Sequence, residues 1–127
     1  MTEKEASQFC DQWLPAWTGN QAQKLIQFYA DNAIYRDPAK PQYLKGREEI
    51  FDYFERLLNR NPNWKWTRQE VFPTPKGFTL KWLAEIPSSD GFVQIEGLDI
   101  VEFNNQNKIV RNEVYFDPSP LARLGRS

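Results

Sequence analysis

The chain has 127 residues, 40% of them hydrophobic, which suits one core and leaves little room for a second, so residues 1–127 read as a single domain. Sixteen basic residues against seventeen acidic ones give a net charge of −1, so no overall field would hold a nucleic acid or an anionic membrane. The chain has no histidine and one cysteine, Cys10, which excludes Ser-His-Asp and Cys-His catalysis, histidine-bound or cysteine-rich zinc sites and an internal disulfide.

Apolar Ala6, Phe9, Cys10, Trp13 and Trp17 recur at three- and four-residue spacing, which predicts an amphipathic helix over residues 3–17, with Pro15 kinking or ending its last turn. Gly19 stops it, and Asn20 is the expected cap of a short second helix with Ala22, Leu25, Ile26 and Tyr29 inside. A β-favouring stretch, Ala33-Ile34-Tyr35-Arg36-Asp37, is cut off by Pro38. Residues Pro38 to Gly46 carry two prolines and a glycine without periodicity and read as a loop, either a lid or a fixed rim. A third helix follows, with Ile50, Phe51, Phe54, Leu57 and Leu58 inside, Glu48 and Glu49 at the positive end of its dipole, and Asn61-Pro62 as its stop.

From Trp64 onward the period becomes two. Segments near 64–72, 77–86, 92–103 and 109–117 are separated by turn-forming runs, which predicts an antiparallel meander, and helices followed by strands give an α+β chain with the helices on one face of the sheet. If Phe103 pairs with Lys108, Val101 faces Val110 and Asp99 faces Asn112. One face then carries Ile95, Gly97, Asp99, Val101, Phe103, Val110, Asn112, Val114 and Phe116, mostly apolar with a single carboxylate. The other carries Leu98, Ile100, Glu102, Arg111, Glu113 and Tyr115, a mixed surface. Gly97 inside its strand predicts a bulge or bend.

Without histidine, proton chemistry falls to carboxylates, Tyr, Lys and Cys10, and the cysteine shares the apolar stripe of the first helix as a buried thiol. Asp99 stands out, because a carboxyl on an apolar face is costly to ionise and its pKa rises; pairing with Asn112 or a helix donor would instead make it a register-fixing group. Asp37, where the chain leaves the sheet, is the second candidate, or else a turn-capping residue ahead of Pro38. Fifteen per cent of the residues are aromatic, including five Trp, which suits a dense core or a pocket for a flat apolar ligand. The faces taken by Trp64, Trp66 and Trp82 stay open.

The stretch Phe28-Tyr29-Ala30-Asp31-Asn32-Ala33-Ile34-Tyr35-Arg36-Asp37-Pro38, then Gly46-Arg47-Glu48-Glu49-Ile50, then Leu98-Asp99-Ile100-Val101-Glu102-Phe103-Asn104 resembles the ketosteroid isomerase and SnoaL-like polyketide cyclase group of the nuclear-transport-factor-2-like (NTF2-like) superfamily, over almost the whole chain. The resemblance implies a cone-shaped, cystatin-like fold in which three N-terminal helices close a curved antiparallel sheet over an apolar pocket. It implies that Asp37 is the carboxylate that moves a proton between substrate carbons. It also implies that Asp99 is an acid kept protonated by its apolar site, donating to the enolate oxygen as in the ketosteroid isomerases. Trp13 stands where that group has a tyrosine, so it is either a weaker donor at the pocket or core. An epoxide hydrolase relative would hold an acid near Val114, and this chain does not.

The expectation is a cofactor-independent, metal-free isomerase or cyclase acting on a small apolar carbonyl compound, with Asp37 and Asp99 catalytic and Trp13, Asn112, Val114 and Phe116 around the ligand. The alternative is a non-catalytic binding or association module of the same fold. The resemblance and the mixed face around Arg111, Glu113 and Tyr115 imply a homodimer through the sheet. No apolar run approaches the ~20 residues that span a bilayer, and Met1-Thr2-Glu3-Lys4-Glu5 lacks the order of a secretory signal, so the expected location is cytoplasmic.

Overall fold

The computed structural model describes residues 1–122. Helix α1 spans Glu3–Trp13 and starts on a reciprocal cap: the Glu5 amide donates to Thr2 Oγ1 at 3.1 Å, and Glu5 Oε1 accepts the Thr2 amide at 2.8 Å. Its inner stripe is Ala6, Cys10 and Trp13. The predicted continuation to Trp17 is a separate 3-10 turn, Leu14–Trp17, because Pro15 has no N–H to extend the α-helical ladder. Gly19 and Asn20 both adopt positive φ, +85° and +60°. Asn20 is therefore not a cap, and helix α2, Ala22–Ile26, begins after Gln21 with no side-chain cap.

Strand β1 runs Tyr29–Asp37, longer than predicted and taking in Tyr29, which the sequence pattern assigns to the second helix. Lys40–Lys45, expected as a loop, is strand β2, paired antiparallel to β1 with Asp37 opposite Lys40 and Tyr35 opposite Leu44. Two features conceal it in the sequence: the turn is only Pro38-Ala39, and β2 is an exposed edge strand, where a proline costs no internal hydrogen bond. Helix α3, Arg47–Arg60, buries Ile50, Tyr53, Phe54 and Leu58, whereas Phe51 and Leu57 are half-buried.

The meander is β3 (Lys65–Thr74), β4 (Gly77–Ser88), β5 (Gly91–Phe103) and β6 (Ile109–Phe116), followed by a short helix α4, Ser119–Ala122. Spatial order is β2-β1-β6-β5-β4-β3 in one open sheet. All pairs are antiparallel except β1 with β6, so the sheet is not uniformly antiparallel as predicted. Parallel pairing is possible there because α3 and four strands, β2 to β5, intervene before the chain returns beside β1, the long crossover that such pairing requires. Helices and inner sheet face meet in a core whose largest fully buried side chains include Trp13, Tyr29, Tyr35, Phe54 and Phe78.

The β5–β6 register differs from the expected one by two residues. Val101 lies opposite Asn112, and Asp99 lies opposite Val114 rather than Asn112, with an irregularity between Glu102 and Phe103. The Asn104 side chain accepts the Gln106 and Lys108 amides and lengthens the turn, with Asn107 at φ +59°. A slip of two preserves which face each side chain takes, so Asp99, Asn112 and Val114 remain inside and Leu98 and Tyr115 outside. Gly97 marks no bulge. It lies opposite Trp82 in continuous register, and a Cβ there would sit 2.3 Å from Trp82 Cζ2, so the missing side chain makes room for the indole.

Candidate functional site

A cavity of about 540 Å³ opens between the 3-10 turn, α3, the inner face of the sheet and the segment after β6. Its aromatic lining comes from elements far apart in sequence. Trp17 and Trp64 each stand 6.1 Å from Trp66 by ring centroids, forming one wall; Trp82 and Phe116, 5.7 Å apart, form another. Trp66 and Trp82 face the cavity from β3 and β4, Trp64 reaches it from just before β3, and Val114 and Phe116 also line it.

Asp37 and Asp99 both reach this cavity but in opposite states of engagement. Asp37 Oδ2 accepts the Tyr35 hydroxyl at 2.8 Å and the Tyr53 hydroxyl at 2.6 Å, and Oδ1 accepts the Ala39 and Lys40 amides at 2.9 Å each. The turn-capping role and the pocket position therefore coexist in one residue. Burial, then the Asp37 charge, raises both phenols above their ordinary range, so Tyr35 and Tyr53 stay neutral donors. Sequence alone gives Tyr35 no role and does not single out Tyr53. Tyr53 lies three residues after Ile50 and four before Leu57, on the same helical stripe, and that spacing is the signal that could have found it.

Asp99 is 4% exposed and accepts the Trp82 indole N–H at 3.0 Å on Oδ1. Burial raises its pKa from 3.8 to about 7; the Trp82 and Asn112 donors pull it down, and the Asp37 charge pushes it up. A carboxyl poised there is present in both protonation states near neutral pH, as proton transfer in both directions demands.

Two other expectations change. Trp13 is fully buried behind the cavity rather than on it: its indole packs against Phe9, Trp17 and Phe78, and its Nε1 has no hydrogen-bond partner. The helix stripe that carries it points into the core, one layer below the ligand space. Asn112 is also off the cavity and fully buried, with Oδ1 accepting the Tyr29 hydroxyl at 2.7 Å and Nδ2 donating to the Ile100 carbonyl at 3.4 Å. It acts on Asp99 from behind and does not line the cavity.

On the opposite face Glu113 accepts from Tyr43, from Tyr115 and from Arg111 Nε, the last at 2.6 Å, while Arg36 lies over the rings of Tyr43 and Tyr115. Among the described residues no helix is long and apolar enough to cross a membrane.

Comparison with known proteins points to the same architecture. A SnoaL-like domain profile matches residues 10–112. A search of curated proteins finds no match. Solved structures that resemble this chain include a putative SnoaL-like polyketide cyclase from Shewanella putrefaciens, with TM-score 0.78, 14% identity and coverage of 94% of this chain and 84% of that one. A SnoaL-like protein of unknown function from Burkholderia thailandensis gives TM-score 0.76 and 19% identity over 92% of this chain and 98% of that one. An NTF2-like protein of unknown function from Burkholderia pseudomallei gives 0.78 and 14% over the full length of both. The match over residues 10–112 and the open sheet closed by helices over an aromatic cavity together place this chain in the SnoaL-like domain family, with the NTF2-like fold.

Proposed function

We propose that this chain is a cofactor-independent isomerase or cyclase that transfers a proton through a carboxyl group on a small apolar carbonyl compound. The observation that carries the reading is Asp99, a nearly fully buried carboxyl held near pKa 7 in a mostly aromatic and aliphatic cavity.

The family resemblance implies Asp37 as the proton carrier and Asp99 as the donor to the enolate oxygen. The hydrogen bonding favours the reverse emphasis. Asp37 already accepts four donors, two of them phenols, so a substrate proton would have to displace one. Ionised Asp99 removes a proton from the carbon beside the carbonyl, and the electron pair moves to the carbonyl oxygen. The Tyr53 hydroxyl, which lines the cavity, turns from Asp37 to that oxygen while Asp37 keeps its three other donors. Asp99 then returns the proton to a different carbon, giving an isomer, or the enolate carbon closes on a second carbonyl and the resulting alkoxide takes the proton back from Asp99, giving a hydroxylated ring.

The saturation of Asp37 also favours a second reading, ligand binding without turnover. The two are separated by incubating wild type, Asp99→Asn and Asp37→Asn with cyclic enones and aromatic polyketones in deuterium oxide, following deuterium uptake by mass spectrometry. Proton transfer predicts uptake by wild type and a drop of about 10²–10⁴ for Asp99→Asn. Binding with no uptake by any form would leave the binding module standing.

A further inference from the structure

We infer that Trp82 is a positioning residue for Asp99, and that Gly97 is glycine because only an empty position lets the indole cross β5 to reach that carboxyl. The inference rests on the reading of Asp99 as the proton carrier. Trp82 on β4 lies directly opposite Gly97 on β5, and Gly97 in turn lies opposite Phe116 on β6. The indole lies over the glycine: a Cβ at position 97 would stand 2.3 Å from Cζ2, 2.4 Å from Cη2 and 2.9 Å from Cε2. It meets the Phe116 ring two strands away at 5.7 Å and 63°. In that pose its Nε1 points along the strand to Asp99, two residues on from Gly97 and on the same face, and donates to Oδ1 at 3.0 Å.

The pose is fixed by packing and not by the hydrogen bond alone. Trp82 is 3% exposed and wedged between β5 and Phe116, so its N–H is held where it is whether or not the carboxyl is charged. A fixed donor on one oxygen sets the plane of the carboxyl and lowers the cost of its ionised form. Without that donor, burial and the Asp37 charge act unopposed except by Asn112.

The titratable groups that act on Asp99 are Asp37 and Tyr29 from β1 and Cys10 from α1. Burial raises Tyr29 well above its ordinary value and Cys10 to about 12, so neither changes charge between pH 5 and pH 9 in the folded protein.

The test is a pH titration of the full chain by NMR, reading the Trp82 indole ¹⁵N–¹H resonance and the Asp99 carboxyl ¹³C resonance; it needs no substrate, so it is independent of whether the protein turns anything over. The indole signal is expected to move with the same midpoint as the carboxyl, near 7, and to stop moving in Asp99→Asn. Gly97→Ala is expected to uncouple the two signals and raise the carboxyl midpoint. Trp82→Phe, which keeps an aromatic ring and removes the donor, is expected to raise it by about one unit, a tenfold change in the acid constant. An indole resonance unmoved between pH 5 and pH 9, or a carboxyl midpoint unchanged in Trp82→Phe, overturns the inference. If Gly97→Ala does not fold, the Trp82→Phe midpoint decides by itself. Should the coupling hold while no deuterium exchange is found on any substrate, the positioning stands and the proton-transfer reading falls.

Discussion

Asp99 and Glu113 sit on adjoining strands of the same sheet, one residue pair apart, and their acidities lie on opposite sides of an ordinary carboxyl. Both are almost fully buried, at 4% and 3% exposure. Asp99 faces the cavity, where burial dominates and the pKa rises to about 7. Glu113 faces outward, where burial also pushes upward but donors from Arg111, Tyr115 and Tyr43 outweigh it and take the pKa down to about 2. Burial pushes both carboxyls upward, and the donors around Glu113 outweigh it whereas those at Asp99 do not. Glu113 is held as structure, and Asp99 is left with its protonation undecided.

Removing the outer hub is the harshest way to break this contrast. Glu113→Ala strands Arg111 and two tyrosines around a lost anion, and urea unfolding at pH 7 is expected to show a loss of about 3 kcal/mol. Because the folded pKa lies below the ordinary 4.5, this contribution is present above about pH 4.5 and disappears as pH falls towards 2. A loss below about 1 kcal/mol at pH 7 would place Glu113 with ordinary surface charges.

The inner carboxyl has the opposite sign. Its folded pKa is raised, so its contribution is fully present below pH 3.8 and is lost as pH rises through about 7. Asp99→Asn, which cannot ionise, is expected to be more stable than wild type by about 4 kcal/mol at pH 8 and close to it at pH 4, measured by denaturant unfolding at both. Equal stability at pH 8 would mean that Asp99 ionises without cost, and the contrast with Glu113 would vanish.

Smaller effects sharpen the picture within the inner face. Gly97→Ala forces the Trp82 ring aside and is expected to cost about 1.5 kcal/mol in thermal or denaturant unfolding. Trp13→Phe removes a buried N–H that has no partner, so its cost is expected to stay within about 1 kcal/mol, with ligand affinity unchanged. A large loss of ligand binding in Trp13→Phe would move Trp13 back to the pocket.

Elements with a strong period are legible from the residues alone. The α3 stripe, the four strands of the meander and the inward placement of Asp99, Val114 and Phe116 all follow from spacing, and even a register error of two leaves them intact because face depends on parity. Elements defined by pairing are not legible. Lys40–Lys45 is a strand only because β1 supplies an edge for it, and its own composition gives no alternation of apolar and polar residues. Pro15 announces a disruption of the first helix, but not the direction in which Trp13 and Trp17 then point.

The sequence by itself determined the α+β order, the absence of histidine chemistry and the presence of a carboxyl on an apolar sheet face, since these depend on composition and on local period. Tertiary structure alone decided how each of the two aspartates is engaged. Four donors converge on Asp37 from β1, α3, the Pro38-Ala39 turn and the first residue of β2, and one indole reaches Asp99 across an empty glycine position. Tyr53 and Trp82 are distant in the chain from the carboxyls they reach, Ala39 and Lys40 donate through their backbone, and even Tyr35, two residues from Asp37, meets it only through the local fold, because such contacts are set in space rather than by sequence neighbours.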